Sequence, residues 1–338
     1  MGEPIDIKTK KILPINNDVN FDKAEVRHLL EKNLSNHIGH WTRFQQVWCN
    51  NAYKTFKDYE KYLVLIYLFR QIWQDYADKF SFYSMEEFYS KNEIKIDKIN
   101  LIQIAEALDI PKETVRRKIN DFQKDNILTR KGKSIILDKG TILQKPNNSV
   151  TLLSKFIEKY VVDLKSQSWF GESLSKEDIE LFIRKYFTVA WLRFFKLQIP
   201  YLVRHKKTFH DLETWNVWAN IALNHAQNFK KTSDQNIISE RIEYKNYYEM
   251  VIEFKPKHGI NASSISDITT IPRATVIRKL KWLNKEKLII KNKKLEYFIN
   301  KKGKKNKKIN EDFLLSQYQV SSFLTDIFDL MKNSKFKI

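Results

Sequence analysis

The sequence predicts a mainly α-helical protein with two small β-hairpins, built from two copies of one unit. A ten-residue phrase occurs twice, as IPKETVRRKI at 110–119 and as IPRATVIRKL at 271–280, an offset of 161 (271 − 110). Long segments place apolar residues three and four positions apart, as amphipathic helices do. Shorter matches precede the phrase in the same order: 41–44 (WTRF) with 191–194 (WLRF), and 54–58 (KTFKD) with 207–211 (KTFHD).

The composition is that of a folded, strongly basic protein. Of the 338 residues, 42% are hydrophobic and 13% aromatic, whereas disordered chains are poor in both. The formal net charge of +20 favours polyanionic partners, although a Lys- and Asn-rich composition alone accounts for part of it. Cys49 is the only cysteine, so neither an intrachain disulfide nor a cysteine-based zinc site can form. We expect a cytoplasmic, nucleoid-associated protein with no membrane contact.

The repeats and the helical periodicity define the expected organisation. We predict a mobile arm over 1–21, a first unit over 22–166 and a second unit over 175–335, with a linker at 166–177. The drifting offsets of 150, 153 and 161 are interpreted as the result of loop insertions. Helices are predicted over 55–79, 177–198 and 212–229, and an apolar helix ends each unit, at 152–164 and 313–330. The aromatic residues are expected in the core: Trp41, Phe44, Trp48, Trp191, Phe194, Phe195, Trp215 and Trp218.

The repeated phrase predicts a helix–turn–helix in each unit. In the first copy a helix over 102–108 precedes a turn and a second helix over 112–124, which starts after Pro111. Val115, Ile119 and Phe122 would share the buried face of the second helix. The second copy predicts helices over 263–269 and 273–286, burying Val276, Leu280 and Leu283. A β-like run with a basic tip follows each copy, so we predict a hairpin after each.

This order of elements resembles the winged helix-turn-helix DNA-binding regulators. The phrases IAEALDIPKETVRRKINDFQKDNIL and ISDITTIPRATVIRKLKWLNKEKLI are similar to the DNA-reading segments of MarR-, GntR- and Crp-type members. The resemblance covers a winged helix of about 97–140 and another of about 258–300, joined by the long aromatic-rich helices. It implies that the second helix of each motif enters the major groove, where Arg, Lys and Asn read base edges.

By this resemblance the DNA-binding residues lie on the two second helices and at the two hairpin tips. The helices supply Lys112, Arg116, Arg117 and Asn120 in the first copy, and Arg273, Thr275, Arg278 and Lys281 in the second. The tips supply Arg130, Lys131, Lys133, Lys291, Lys293 and Lys294, which would contact phosphates.

The expected function is a sequence-specific transcriptional regulator that binds double-stranded DNA as a single-chain pseudo-dimer. Because Arg116 is replaced by Ile277, the operator would consist of two unlike half-sites. Trp282, which replaces Asp121, either reads DNA or packs. The alternatives are a plasmid- or phage-type tandem winged-helix replication initiator and a winged-helix scaffold that binds proteins. The chain would act as a monomer or a homodimer, with an effector that the sequence does not identify.

Signs of catalytic chemistry are missing from the sequence. With only 7 glycines there is no glycine-rich phosphate loop, and no nucleophile elbow or metal-ligand cluster is present. His37 and His40 lack a nearby Cys or paired carboxylates and are interpreted as structural. We therefore expect no enzyme activity, no metal and no cofactor.

Overall fold

The computed structural model describes residues 21–32, 34–91, 93–138, 147–164, 174–232 and 246–334, which form fourteen helices and five short strands. The mainly helical fold class is therefore confirmed. The first half contains α1 (Lys23–Lys32), α2 (Leu34–Phe56), α3 (Tyr59–Asp78), α4 (Met85–Ser90), β1 (Ile94–Ile96), α5 (Leu101–Leu108), α6 (Lys112–Lys124), β2 (Leu128–Lys131), β3 (Ser134–Leu137) and α7 (Asn147–Leu164). The second half contains α8 (Lys176–Lys185), α9 (Phe187–Phe209), α10 (Leu212–Thr232), α11 (Tyr247–Glu253), α12 (Ala262–Thr269), α13 (Arg273–Lys285), β4 (Ile289–Lys291), β5 (Tyr297–Ile299) and α14 (Asn306–Asn333).

The helices of the two halves agree in length and spacing. α1 and α8 both have 10 residues and α2 and α9 both have 23, and each pair starts at an offset of 153 (176 − 23 and 187 − 34). α6 and α13 both have 13 residues, at an offset of 161 (273 − 112). The offset changes between α10 and α11, where 233–246 separates the helices, whereas 79–84 separates α3 from α4.

Two predicted helices are each interrupted once. The helix predicted over 55–79 breaks because Lys57 adopts a left-handed conformation (φ 55°) and Asp58 caps the start of α3. The Asp58 carboxylate accepts hydrogen bonds from Glu60 N (2.8 Å) and Lys61 N (3.0 Å). The helix predicted over 177–198 breaks at Tyr186, whose dihedrals (φ −101°, ψ 38°) leave the helical region between α8 and α9.

The match of 41–44 with 191–194 is out of register with the rest. In each half this tetrapeptide and the later KTF segment lie in one continuous helix, α2 or α9. No loop separates them, so the offsets of 150 and 153 cannot differ through a loop insertion. The interpretation of that difference as an insertion is therefore wrong. The helix starts agree with 153, and the tetrapeptides differ from it by three residues, which is nearly one helical turn.

The aromatic side chains of α2, α3 and α9 form the centre of the core, as predicted. All eight aromatic residues expected in the core are at most 8% exposed. Phe44 stacks on Phe156 at 4.4 Å between ring centroids, and Trp48 meets Phe194 edge-on at 4.7 Å. Such pairs add to the hydrophobic gain from burial.

The core also includes residues at both of the boundaries that the sequence suggested. Phe21, which the predicted arm over 1–21 included, is 4% exposed and packs against Phe328 at 5.5 Å. That arm therefore extends one residue too far, and 1–20 lies outside the described residues. At the predicted linker, Leu174 is buried and Ser175 forms a capping box with Asp178, so 175–177 already belongs to the start of α8. The linker residues 166–173 lie outside the described residues.

The two halves pack against each other in a reciprocal way. α7 lies against α2 of its own half and against α8 of the other, while α14 lies against α9 and α1. Likewise, α3 packs on α9 and α10 packs on α2. Gln45 and Gln198, both buried and 153 apart (198 − 45), donate hydrogen bonds to each other at 2.7 and 3.0 Å. None of the described helices has the length and apolar character needed to cross a bilayer.

Candidate nucleic-acid interface

The first predicted motif consists of α5, a tight turn and α6. Asn100 caps α5 by accepting hydrogen bonds from Ile102 N (3.0 Å) and Gln103 N (3.2 Å). Asp109 ends α5 in a left-handed conformation (φ 52°), and α6 starts directly after Pro111. The predicted bounds of α6 are confirmed, and its predicted buried face, Val115, Ile119 and Phe122, is 0% exposed.

The second motif has the same construction. Asn261 caps α12, and Thr270 ends it in a left-handed conformation (φ 59°). α13 starts after Pro272 and ends at Lys285, one residue before the predicted end, because Glu286 is its C-cap. Val276, Leu280 and Leu283 form its buried face, as predicted.

A hairpin follows each motif, as the sequence predicted. β2 and β3 pair antiparallel around Lys131 and Ser134, with Gly132 in a left-handed conformation (φ 61°) at the turn. β4 and β5 pair antiparallel from Ile289 with Ile299 to Lys291 with Tyr297. The sequence missed a third strand in the first half and an isolated β-bridge at the corresponding place in the second half. β1 pairs with β3 to give the order β1-β3-β2, and Ile260 forms an isolated bridge with Tyr297 of β5.

One lysine of each second helix, with a side chain only 8% (Lys118) or 13% (Lys279) exposed, forms an ion pair with the residue that caps a core helix. Lys118 of α6 bonds Asp58 at the start of α3, and Lys279 of α13 bonds Asp211 before α10 at 2.5 Å. In both aspartates the two carboxylate oxygens have the same partners. Oδ1 accepts the hydrogen bonds that cap the helix, and Oδ2 accepts a hydrogen bond from the lysine ammonium. These pairs attach α6 and α13 to the aromatic core and leave the opposite faces of both helices exposed.

Both aspartates line a single cavity of about 260 Å³, where the start of α3 approaches the start of α10. Burial would raise the pKa of Asp211, but hydrogen bonds from Lys279 and Thr214 outweigh it and hold that pKa below its usual range. Burial, followed by the nearby charge of Asp211, raises the pKa of Glu213 in the same cavity. Because their anchoring residues share this cavity, α6 and α13 are attached close together on the molecule.

Most of the predicted DNA-binding side chains are exposed. On the helices these are Lys112, Arg116, Arg117, Arg273, Arg278 and Lys281, and at the hairpin tips Lys131, Lys133, Lys291, Lys293 and Lys294. Asn120, Arg130 and Thr275 are half-buried. Asn120 lies beside the buried face of α6, next to Ile119.

Some of these groups already have partners within the chain. Arg116 forms a two-pronged pair with Glu113 one turn earlier, with bonds of 2.5 to 3.1 Å. Arg273 donates a hydrogen bond to Ser263 Oγ at 3.2 Å, and Arg130 donates one to the carbonyl of Gly132 at 3.0 Å. Exposed pairs of this kind contribute about 1 kcal/mol or less and exchange readily for a phosphate.

The two second helices differ in charge and in one large side chain. α6 contains Glu113 and Asp121, whereas α13 contains no acidic residue. Trp282 of α13 is half-buried, stacks on His210 at 6.2 Å and lies beneath the Lys305 ammonium at 4.9 Å. Of the two roles left open for Trp282, the structure shows packing.

The histidine pair of α2 contacts a carboxylate of α7. His37 Nε2 and His40 Nε2 lie 2.9 and 3.1 Å from Asp163 Oδ2. Burial opposes ionisation of this carboxyl, but the hydrogen bonds and charges of both histidines lower the pKa of Asp163 well below its usual range. In the part of the chain that the structure describes, no three His, Cys, Asp or Glu side chains form a group that could hold a metal ion.

Comparisons with protein-family models, with curated proteins and with solved structures found no match to this chain. Its function must therefore be inferred from its own residues and contacts.

Proposed function

We propose that this chain binds double-stranded DNA sequence-specifically as a single-chain pseudo-dimer, with one winged helix-turn-helix in each half, and regulates transcription from an operator of two unlike half-sites. One observation carries the proposal. Each of the two basic helices α6 and α13 attaches to the core through one lysine whose side chain is only 8% or 13% exposed, while its other basic side chains remain exposed.

Matching backbone strain supports the interpretation of the halves as two copies of one unit. Residues other than glycine rarely adopt positive φ. Here they do so at three pairs of positions, with offsets of 153 for the first pair and 161 for the others: Lys57 and His210, Asp109 and Thr270, and Asn126 and Lys287. A shared pattern of strained turns is stronger evidence for two copies of one unit than a shared helix content.

Reciprocal contacts support a pseudo-twofold relation between the units. In a twofold dimer the same residue of each copy meets its counterpart at the axis. Gln45 and Gln198 make such a contact, and the packing of α7 on α8 has its counterpart in the packing of α14 on α1. A twofold relation favours inverted half-sites. The directly repeated sites of a replication initiator would require the two units to be related by translation.

The exposed side chains have the chemistry that DNA recognition needs. Arg117 and Arg278, at equivalent positions of α6 and α13, can each donate two hydrogen bonds to the O6 and N7 atoms of guanine. The lysines of the hairpin tips would neutralise phosphates, which adds affinity and salt dependence without sequence information. The carboxylates of Glu113 and Asp121 on α6 would repel phosphate, and α13 contains no acidic residue. We therefore expect the second unit to bind DNA more tightly than the first.

The proposal is tested by measuring fluorescence anisotropy of a duplex selected from a random library. Arg117→Ala and Arg278→Ala should each weaken binding about 5- to 150-fold, and each should relax base preference in one half-site only. Lys155→Ala and Lys196→Ala are matched controls, because they remove one exposed positive charge each from α7 and α9. They should change affinity less than about threefold, through the net charge alone.

Two results would favour the alternative functions. If Arg117→Ala and Arg278→Ala bind DNA as tightly as the two controls do, the exposed faces do not read DNA, and a role as a protein-binding scaffold is favoured. If the selected sequences are direct repeats in one orientation, the replication initiator is favoured over the regulator.

A further inference from the structure

A cavity of about 140 Å³ lies where α2 meets α10, α11 and α14. Its walls are mostly aromatic and small apolar side chains, and they include Ile299 of β5. Phe229, Tyr247 and Val251 form a hydrophobic cluster separate from the main core. Residues of both the main core and this small cluster line the cavity, so the cavity lies between them.

The cavity exists beside α10 because three of its lining residues are alanines with small side chains. Ala219, Ala222 and Ala226 all line the cavity. α3 and α10 start at an offset of 153 (212 − 59), so the corresponding positions of α3 can be compared directly. Large buried side chains occupy them: Ile66, Phe69 and Trp73, which are 4%, 8% and 4% exposed.

The same contrast occurs on the facing helix. In the first half Trp73 stacks on Phe69 at 5.3 Å and on Phe195 of α9 at 5.2 Å. The position of α2 that matches Phe195 is Thr42 (195 − 153), which also lines the cavity. The cavity is thus the counterpart of a site that stacked aromatic rings fill in the other half, so we expect it to accept a flat ring.

Three of the residues that line the cavity have a buried polar atom with no hydrogen-bond partner within the described chain. These atoms are Gln46 Oε1, His205 Nδ1 and Trp218 Nε1, on lining residues that are 6–7% exposed. Leaving such an atom unpaired destabilises the folded chain, and a ligand with matching groups would offset that cost. The glutamine oxygen can only accept a hydrogen bond, and the indole nitrogen can only donate one.

The charge of the walls limits the ligand further. Among the described lining residues there is no aspartate or glutamate, while Arg43 is exposed at the cavity. Burial, with the charges of Arg204 and Lys308, lowers the pKa of His205 to about 3, so its imidazole is neutral at physiological pH. A cationic ligand would therefore meet no compensating charge.

We propose that this cavity binds a small planar aromatic molecule of one substituted ring, neutral or singly anionic, that donates a hydrogen bond to Gln46 and accepts one from Trp218. An apolar cavity of about 150 Å³ holds one benzene molecule, so the volume suits a single ring. This site is independent of DNA binding, and its test needs no DNA.

The test is calorimetric titration of the full chain with phenol, cyclohexanol and benzylammonium. Phenol has a flat ring and a hydroxyl that both donates and accepts. Cyclohexanol keeps the hydroxyl without the flat ring, and benzylammonium keeps the ring but adds a positive charge. Phenol should bind at least about tenfold more tightly than either of the others, since one well-placed group contributes on the order of 1.4 kcal/mol.

Two variants and one control localise the binding. Ala222→Phe places in α10 the residue that α3 has at the matching position, and it should weaken phenol binding at least about tenfold by filling the cavity. Trp218→Phe keeps an aromatic ring but loses the N–H donor, and it should weaken binding about fivefold. Ala24→Phe, on an exposed position of α1, adds the same ring outside the cavity and should leave binding unchanged.

The outcomes separate a ligand site from a packing defect. Phenol that binds the full chain and Ala24→Phe but not a folded Ala222→Phe supports the site. If Ala222→Phe does not fold, the Trp218 indole N–H resonance gives the answer, since phenol should shift it in the unmodified chain. Phenol binding that Ala222→Phe and Trp218→Phe leave unchanged, or no binding at millimolar phenol, would overturn the proposal.

Discussion

Replacing His205 should remove a pH-dependent part of the free energy of unfolding, because its imidazole is buried without a counter-charge. The side chain is 6% exposed and lies between Tyr201, at 4.4 Å between ring centroids, and Trp215, at 5.4 Å. Burial first, and then the positive charges of Arg204 and Lys308, lower the pKa of His205 to about 3. In the unfolded chain a histidine titrates near pH 6.5, so the folded and unfolded states bind different numbers of protons.

The sign and size of the effect follow from proton linkage. Between about pH 3 and pH 6.5 the unfolded chain protonates this histidine and the folded chain does not. The free energy of unfolding is therefore undiminished above about pH 6.5 and falls as the pH is lowered through this window. With these two pKa values the loss between pH 7 and pH 5 is about 2 kcal/mol from His205 alone.

Urea unfolding at pH 7 and pH 5 measures this loss in the unmodified chain, His205→Gln and His205→Phe. Carboxylates that titrate over the same range do so in all three proteins, so their contribution cancels in the comparison. Both variants should lose about 2 kcal/mol less than the unmodified chain on acidification, and His205→Phe keeps a ring between Tyr201 and Trp215. The same pH dependence in all three, within about 0.5 kcal/mol, would refute the reasoning.

Five further substitutions probe individual packing, hydrogen-bond and ion-pair contacts. Gln45→Leu and Gln198→Leu should each lower the free energy of unfolding in urea by about 1–3 kcal/mol, because each leaves the partner's buried amide unpaired. The double variant should lose less than the sum of the two single losses, and simple additivity would argue against a direct pair. Lys118→Met should cost about 1–3 kcal/mol and lower hydrogen-exchange protection in α6 more than in α13; equal loss in both helices would contradict local anchoring. Gly259→Ala should lower the melting temperature, because its new Cβ would lie 2.7 Å from the carbonyl oxygen of Tyr297. Gly39 lies inside α2, and the nearest atom to its new Cβ would be 3.5 Å away, so Gly39→Ala should instead stabilise the chain by about 0.5–1 kcal/mol. A similar loss of stability in both glycine variants would mean that close approach is not the cause.

Local sequence signals located the elements of the candidate interface well. α6 has the predicted bounds and α13 ends one residue early, because the apolar spacing and the proline at each start are local properties of the chain. The hairpins were also predictable from their turn residues. The strand β1 was not, since a three-residue strand pairing with β3 leaves too short a pattern to recognise.

Tertiary contacts explain what the sequence did not predict. Aromatic periodicity continues through Lys57, so the break between α2 and α3 was visible only in the backbone. Lys118 and Asp58 are 60 residues apart, and nothing local pairs them. A signal did exist, because both a lysine in the repeated phrase and an aspartate in the KTF-x-D segment recur in the second half. Likewise, the replacement of large side chains by alanines at the cavity can be recognised in the sequence only when α3 and α10 are aligned from their first residues.

Selection of bound duplexes from a random library by the purified full chain, at physiological salt, tests the central proposal most directly. We predict a motif of two unlike, inverted half-sites about one helical turn apart, in which Arg117→Ala and Arg278→Ala each relax a different half. A perfect palindrome would contradict two non-identical reading helices on one chain. Failure to enrich any sequence, with binding present only at low salt, would mean that the net charge of +20 alone attracts DNA and that α6 and α13 do not read it.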